Sequence, residues 1–294
     1  MSKRFCFCTL AVGSRYRAHA QLLAADIQRY APDIPLIVLT DRPDEFIDFP
    51  HVLAHRHYLK SVLGYHDKLH VIEVAIATFE TCIFLDSDVR ILGPVPTDMD
   101  YPPGLTGRFG CSILKHNKHS KVRPALPLIE AAGEKFNLDL KTVIWLHECM
   151  FVVRRQRGLE KQFLHHWKVL AYYFQMNHIY NGEGNVMGLA AAISNFNTEF
   201  KREDTFPFFK DVIEKERIKK GKSALDINSP WFRTHHTIEY PHRNLREKVT
   251  TKLNQQVGFY YRWTKMYVAA LQNTEFHALN TTLNQYQLST AFSR

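Results

Sequence analysis

The sequence has few cysteines, and they show no regular spacing. Its 294 residues include five: Cys6, Cys8, Cys82, Cys111 and Cys149. An odd, scattered set excludes a disulfide framework and a zinc-finger site, and it is typical of buried, reduced thiols. We therefore expect a cytoplasmic protein.

The sequence also lacks an apolar run long enough to cross a membrane. The N-terminus imitates a signal peptide, because Lys3 and Arg4 precede the apolar stretch 5–12. However, Arg15 and Arg17 interrupt that stretch, and its alternating Phe and Cys residues favour a strand. We therefore interpret it as the first strand of the domain.

Acidic residues are fewer than basic ones, and the formal net charge is +9. This excess favours anionic partners, namely nucleotide phosphates, acidic lipid headgroups or nucleic acid. No zinc-finger spacing or RNA-binding aromatic signature is present, so we do not expect nucleic acid. The basic surface leaves open a peripheral contact with the inner face of a membrane.

Strand and helix patterns alternate through the first part of the chain. The predicted strands are Arg4–Ala11, Leu36–Thr40, Val52–His57 and Cys82–Leu85, and the predicted helices are Tyr16–Tyr30 and Asp67–Thr78. A further strand, Leu105–Arg108, is predicted at an edge of the sheet. This order predicts an α/β fold with a mostly parallel central sheet flanked by helices. We expect one main domain over residues 1–240 and a helical C-terminal extension over 241–294.

Two carboxylates, Asp86 and Asp88, directly follow the buried strand that ends at Leu85. Ligands bind at the carboxyl ends of strands in open α/β sheets. Two oxygen donors at such an edge suit a divalent cation that also carries phosphate oxygens. The alternative is a polar turn with a solvated Asp pair, but apolar runs on both sides of the motif disfavour it.

Three motifs together resemble a known family. They are Ala11-Val12-Gly13 followed by Tyr16, a strand that ends at Thr40-Asp41, and Asp86-Ser87-Asp88. In this order they resemble the metal-dependent nucleotide-sugar glycosyltransferases of the A-type, Rossmann-like fold, over approximately residues 4–240. The histo-blood-group transferases have a late helix that begins with Glu, as at Glu183. The branch of glycogenin and the lipopolysaccharide galactosyltransferases has a Lys before the Asp-x-Asp motif, as at Lys68.

The resemblance implies roles for the donor-side residues. Asp88 would bind the metal directly, and Asp86 would contact the metal or the ribose, with Ser87 between them. A late His supplies a third metal ligand in the second branch, and we favour His236 over His235, both on a predicted strand over 231–239. An imidazole ligand would favour Mn²⁺ over Mg²⁺. The nucleotide sugar would further contact Ala11, Val12, Gly13, Tyr16, Asp41 and Lys68, with the Tyr16 ring stacked on the base.

Glu183 is the candidate catalytic residue. It lies between Gly182 and Gly184 at a predicted helix start, where a ligand can approach closely. A carboxylate there can stabilise an oxocarbenium-like state, act as a nucleophile or remove the acceptor proton. The alternative role is pairing with the helix dipole. His147 and Glu148 replace the small residues of the usual acceptor turn and are candidates for acceptor contacts.

The predicted function is transfer of a sugar from a nucleotide-diphosphate donor, a uridine one, to a carbohydrate, lipid-linked or protein acceptor. A haloacid-dehalogenase-type phosphatase also has a strand that ends in Asp-x-Asp, but Val89 and Arg90 then stand where that family has a Thr. A non-catalytic sugar-nucleotide-binding protein is the second alternative. The sequence does not specify the sugar, the acceptor or the stereochemical course.

Overall fold

A computed structural model describes residues 5–118, 123–201 and 205–292. Its strands are β1 (Phe5–Ala11), β2 (Leu36–Thr40), β3 (Val52–Arg56), β4 (Thr81–Leu85), β5 (Arg90–Ile91), β6 (Gly104–Gly107), β7 (Gly110–Ser112), β8 (Ile144–Leu146), β9 (Met150–Arg154), β10 (Thr198–Phe200) and β11 (Phe208–Phe209). Its α-helices are α1 (Ser14–Tyr30), α2 (Lys68–Thr78), α3 (Ile113–His116), α4 (Leu126–Lys135), α5 (Leu159–Met176), α6 (Glu183–Ile193), α7 (Asp211–Lys219), α8 (Pro230–Glu239), α9 (Leu245–Leu271) and α10 (Thr274–Phe292). Arg4, where the first strand is predicted to begin, lies outside the described residues.

Seven of these strands form the central sheet, in the order β10-β6-β9-β4-β1-β2-β3. Strands β4, β1, β2 and β3 run parallel, and β10 is parallel to β6. Only β9 is antiparallel to its two neighbours within this sheet. The predicted fold class, an α/β fold with a mostly parallel sheet, is therefore confirmed.

The sequence alternation in β1 explains how the sheet forms two cores. Cys6 and Cys8 pack into the apolar cluster on one side of the sheet, whereas Phe5 and Phe7 pack into the cluster on the other. Successive side chains of a strand point to opposite faces, so a strand covered on both sides is apolar at nearly every position. β1 is therefore a strand of the core.

The antiparallel strand β9 determines which residues stand beside the Asp-x-Asp motif. Leu85, the last residue of β4, pairs with Met150, the first residue of β9. The backbone N–H of Asp86 then donates to the carbonyl of Cys149 at 2.9 Å. Because the two strands run in opposite directions, the residues that precede β9 meet those that follow β4.

A short antiparallel ribbon continues from the same edge. Ile91 of β5 pairs with Phe208 of β11, and Arg90 pairs with Phe209. Lys210, the residue after β11, therefore lies near the residues before β5, which include the Asp-x-Asp motif.

Two predictions about secondary structure are wrong. The strand predicted over residues 231–239 is the helix α8, which has Ser229 before it and Pro230 as its first residue. Proline is favoured at the first helical position because its missing N–H has no partner there in any case. The strand predicted at an edge, Leu105–Arg108, is β6, which lies inside the sheet between β10 and β9.

The C-terminal helices pack on the main domain. Phe276 and Leu279 of α10 belong to the same buried cluster as residues of α4 and α5, and Arg262 of α9 donates to the carbonyl of Val62 at 2.8 Å. The predicted boundary at residue 240 stays a prediction. Within the described ranges, every helix is too short or too polar to span a membrane.

Candidate active site

A cavity of about 820 Å³ opens at the edge of the sheet where β4 ends. This volume lies in the range of small-molecule sites, roughly 300–1,000 Å³. Most of the site residues predicted from the sequence line it: Val12, Tyr16, Lys68, Asp86, Ser87, Asp88, His147, Glu148 and Glu183. The other four predicted residues are not among the described residues that line the cavity: Ala11, Gly13, Asp41 and His236.

Asp86 and Asp88 converge on the ammonium group of Lys210. Lys210 Nζ lies 3.1 Å from Oδ2 of Asp86 and also contacts Oδ1 of Asp88. Burial would raise the pKa of the Asp88 carboxyl, but His235 and Lys210 hold that pKa well below its usual value. Both carboxylates therefore remain ionised and direct their oxygens at one cation position.

A second lysine, Lys68, contacts the other carboxylate oxygen of Asp86. Lys68 Nζ lies 3.0 Å from Oδ1 of Asp86 and 2.9 Å from Oε1 of Glu183, and it donates to the Glu148 carbonyl at 3.1 Å. Burial alone would lower the pKa of this ammonium group, but the carboxylates of Asp86 and Glu183 outweigh burial and raise it. Lys68 is thus a fixed positive charge between the Asp-x-Asp motif and Glu183.

Glu183 reaches this position because α6 begins against the strand β8. An added Cβ at Gly184 would overlap the Leu146 carbonyl and lie 2.7 Å from Oε1 of Glu148, and at Gly188 it would overlap the Ile144 carbonyl. Only glycine permits such an approach of helix and strand backbones at both positions. Gly182, with a φ of 91°, turns the chain into the helix. Burial alone would raise the pKa of Glu183, but the positive charge of Lys68 outweighs burial, so the pKa is lowered.

Glu148 and Glu183 are two buried carboxyl groups whose pKa values are shifted in opposite directions. Burial, together with the charge of Glu183, raises the pKa of Glu148 to about 8. Oε1 of Glu148 accepts a hydrogen bond from the Gly184 N–H at 2.9 Å. At neutral pH the site therefore holds one neutral and one ionised carboxyl group side by side, an arrangement that suits acid–base chemistry.

The wall beside Glu148 is aromatic. The rings of His116 and Trp145 stack with centroids 3.7 Å apart, and the ring of His147 meets Trp145 edge-on at 6.0 Å. Burial lowers the pKa of His147, which keeps its imidazole neutral. Trp145 was not predicted from the sequence, since its neighbours in the cavity wall come from distant segments.

Tyr16 stands at the other end of the cavity, and its side chain is 42% exposed. The Arg15 guanidinium lies 4.4 Å from the centroid of the Tyr16 ring. Asp41 supports the loop before this residue from behind: its Oδ1 accepts from the Gly13 N–H at 3.0 Å, and both of its oxygens accept from Arg17 at 2.8 Å. Asp41 therefore shapes the loop between β1 and α1 without reaching the cavity.

The two late histidines point in different directions. His235 lies beside the motif, with Nε2 3.8 Å from Oδ2 of Asp88 and Nδ1 3.8 Å from Oδ2 of Asp211. His236 instead packs on the ring of Tyr240, with the centroids 4.9 Å apart. As consecutive residues of a helix, the two cannot share a face.

The donor set at the Asp-x-Asp motif fits a divalent cation. Two carboxylate oxygens already converge on one positive group, the ammonium of Lys210, and the buried Nε2 of His235 has no hydrogen-bond partner among the described residues. A metal at this position would displace the ammonium group. Lys210 was not predicted from the sequence, because its position depends on the pairing of β11 with β5.

No protein-family model matches the sequence, and a comparison with curated proteins finds no match. Among solved structures, the chain is similar to the bifunctional glycosyltransferase WbbM in its apo form, with 8% identity, a TM-score of 0.43 and coverage of 68% of this chain. The chain spans 39% of the length of that protein.

Two structures of LgtC are also similar. The galactosyltransferase LgtC in complex with donor and acceptor sugar analogues gives 10% identity, a TM-score of 0.46 and coverage of 82% of this chain and 98% of that one. A structure of an active-site mutant of LgtC gives 13% identity and a TM-score of 0.43, with coverage of 66% of this chain and 71% of that one. At these identities and TM-scores we draw nothing from these similarities about family, donor, metal or acceptor.

Proposed function

We propose that this protein is a glycosyltransferase that takes a sugar from a nucleotide-diphosphate donor, a uridine diphosphate sugar, with the help of a divalent metal. One observation carries the proposal. Asp86 and Asp88 direct their oxygens at a single cation position inside a cavity of about 820 Å³, and Glu183 lies across Lys68 from them. This arrangement offers a place for a charged leaving group next to a carboxylate.

The donor would lie along the wall between α1 and the end of β4. The exposed ring of Tyr16 offers a face for the nucleobase, and Val12 lines the same end of the cavity. The ammonium groups of Lys68 and Lys210 lie within reach of a diphosphate bound at the motif. Asp41 contributes by holding the Gly13 N–H and Arg17, so that the loop keeps its shape.

Asp86 and Asp88 would hold the metal, for which we propose Mn²⁺, with Mg²⁺ as the alternative. His235 is better placed than His236 as a third ligand, because only His235 faces Asp88. When bound, such a metal neutralises the charge that develops on a departing diphosphate.

Glu183 would face the anomeric carbon of the donor sugar. Lys68 keeps its carboxylate ionised and fixes it in place. An oriented negative charge there stabilises an oxocarbenium-like state and costs no reorganisation during the reaction.

The acceptor would enter past Glu148, His147 and the stacked rings of Trp145 and His116. Flat aromatic faces bind the apolar faces of sugar rings, and a carboxyl group whose pKa is near 8 can exchange a proton with a hydroxyl group near neutral pH. A carbohydrate, free or linked to lipid or protein, fits this end. We further propose a cytoplasmic protein whose basic surface can meet anionic lipids.

Thermal-shift titration tests the donor class, because a ligand that binds only the folded state raises the melting temperature. The full chain is titrated with nucleoside diphosphates, each with and without Mn²⁺. We expect stabilisation by uridine diphosphate only when the metal is present, followed by slow hydrolysis of one uridine diphosphate sugar. Binding without hydrolysis or transfer to any acceptor would indicate a sugar-nucleotide-binding protein. The absence of any shift, together with phosphate release from a chromogenic ester, would indicate a phosphatase.

A further inference from the structure

The helix α9 begins with a segment that is exposed on all sides. Among residues 245–257, only Thr251 is partly buried. A capping box fixes the start of the helix: the N–H of Asn244 donates to the Glu247 carboxylate at 3.0 Å, and the N–H of Glu247 donates to the Asn244 side chain at 2.9 Å. A helical segment this short is only marginally stable in water unless one of its faces packs on a partner.

Large side chains form a stripe along the exposed face of α9. The stripe consists of residues four apart on the helix: Leu245, Val249, Leu253, Val257 and Tyr261. Each of them is between 52% and 79% exposed. Residues four apart lie on the same side of a helix, so the stripe is continuous. An apolar stripe of this kind normally faces a core, whereas here it faces solvent.

Basic side chains lie beside the stripe. The 27 residues of α9 include five basic residues and a single acidic one, Glu247. Arg246, Lys248 and Lys252 are exposed, and none of them makes an ion pair with any described residue. A second copy of this chain is a poor partner for the stripe, because two such helices would bring like charges together. The charge instead favours a negatively charged partner.

A lipid surface fits this combination of apolar and basic side chains. A helix that lies in a membrane interface buries its apolar face at the level of the headgroups and carries Lys and Arg beside it, whose charged ends stay in the headgroup layer. Tyr260 and Tyr261 add exposed rings of the kind that is enriched at membrane–water interfaces. A nucleic acid would contact the basic residues through its phosphates but would leave the row of Leu and Val uncovered.

The second half of α9 joins this surface to the rim of the cavity. Arg262 donates to the Val62 carbonyl at 2.8 Å, and the next residue, Leu63, lines the cavity. The ring of Phe259 meets the ring of Tyr180 edge-on with centroids 5.4 Å apart, and the residues on both sides of Tyr180 line the cavity as well. Two loops of the cavity wall are therefore attached to this helix.

We propose that the exposed face of α9, from Leu245 to Tyr261, is a docking surface for a membrane that contains anionic lipids. The apolar stripe enters the boundary between headgroups and acyl chains, and Arg246, Lys248 and Lys252 pair with the negative charges of the headgroups. A docked α9 holds the rim of the cavity close to the lipid surface. This surface gives a location to the lipid contact of the proposed function and rests on that contact, but it does not depend on sugar transfer.

Flotation of the full chain with lipid vesicles tests the surface. Vesicles of phosphatidylcholine mixed with phosphatidylserine are compared with vesicles of phosphatidylcholine alone, without nucleotide or metal. We expect the wild type to float with the anionic vesicles, to bind the neutral ones at least about tenfold more weakly, and to be released by salt. Leu253→Gln combined with Val257→Gln should weaken binding at least about tenfold, and so should Lys248→Gln combined with Lys252→Gln.

Two matched pairs of substitutions outside α9 serve as controls. Ile47→Gln with Ile227→Gln changes two other exposed aliphatic side chains, and Lys220→Gln with Lys222→Gln removes two other exposed charges. Both double variants should bind the anionic vesicles as the wild type does. Melting temperature and circular dichroism show whether each variant folds.

The proposal is wrong if the wild type does not float with anionic vesicles, if it floats equally with both kinds, or if the folded α9 variants bind as the wild type does. A wild-type dimer in solution that Leu253→Gln with Val257→Gln dissociates would also overturn it, because a second copy would then cover the stripe. Light scattering measures this state. Failure of nucleotide binding, by contrast, would count against the glycosyltransferase and leave vesicle binding unchanged.

Discussion

Lys210 and Asp88 form an ion pair because Lys210 follows β11, Asp88 precedes β5, and these two strands pair antiparallel. The same ammonium group lies 3.1 Å from Asp86, so one side chain compensates both carboxylates of the motif. Burial would lower the pKa of Lys210, but the two carboxylates raise it. The ammonium group therefore stays charged at neutral pH and competes with any metal for the same oxygens.

Lys210→Met should raise the affinity for Mn²⁺, because it removes the competing positive charge and leaves both carboxylates free. We expect an increase of at least about tenfold in affinity, together with a lower melting temperature in the absence of metal, since two half-buried carboxylates lose a partner. Isothermal titration with Mn²⁺ measures the first effect. Lys219→Met, which changes an exposed lysine of the same region, serves as control. Unchanged or weaker Mn²⁺ binding in Lys210→Met would contradict the shared cation position.

Asp88→Ala should abolish metal-dependent nucleotide binding while the fold survives. Lys210 retains Asp86 as a partner in this variant, so the loss of one carboxylate leaves no lysine unpaired. We expect the affinity for uridine diphosphate with Mn²⁺ to fall at least about a hundredfold. Thermal shift measures it, and Asp98→Ala, at an exposed loop position, is the matched control. Wild-type affinity in Asp88→Ala would remove the motif from the metal assignment.

Glu183→Gln should lose sugar transfer but keep donor binding. The amide keeps the size of the side chain but removes the negative charge that faces Lys68. We expect turnover to fall about 10²–10⁴-fold, the range for loss of a positioned acid, base or charge. Turnover and nucleotide affinity are measured side by side, and Glu134→Gln on the exposed face of α4 controls for the substitution itself. Wild-type turnover would exclude Glu183 as the catalytic residue.

Glu148 should make the stability of the protein fall as pH rises. Its pKa is about 8 in the folded chain, well above the ordinary value of 4.5. Between these values the folded protein holds a proton that the unfolded chain has released, so the free energy of unfolding decreases by at most about 1.4 kcal/mol per pH unit. Glu148→Gln removes this contribution and keeps an oxygen for the Gly184 N–H.

Melting curves of the wild type and Glu148→Gln, taken from pH 5 to 9, measure the effect. The variant should gain stability relative to the wild type as pH rises through this window, and the gain should level off above about pH 8. Two parallel curves would mean that Glu148 ionises normally in the folded protein.

The sequence predicts the elements that depend on local patterns. The apolar run before Asp86 identifies β4, and the alternation of Phe and Cys identifies β1, because side-chain period and burial are both visible in the residues. Glu183 at a helix start is likewise visible from its flanking glycines. That Asp86, Asp88, Lys68 and Glu183 belong to one site is, by contrast, implied by the resemblance to a glycosyltransferase family and not by any local pattern.

Other parts of the site depend on pairings between distant segments. Lys210 follows only two strand residues, and no local pattern indicates that β11 pairs with β5. The residues of α8 resemble a strand because the segment is rich in aromatic and β-branched residues, such as Trp231, Phe232 and Ile238, whereas the Ser229-Pro230 start favours a helix. The choice between His235 and His236 depends on that distinction, since a helix and a strand direct neighbouring side chains differently.

The pairing of Leu85 with Met150 has a consequence for the whole cavity. Asp86 and Glu148 stand at the ends of neighbouring strands, so the separation between them changes only when the strands slip by whole residues. One inserted residue would move Glu148 by about 3.3 Å and turn it to the other face of the sheet. The alignment of the two strands therefore sets the distance between the two halves of the cavity in steps of one residue, and smaller changes in the shape of the cavity must come from exchange of side chains.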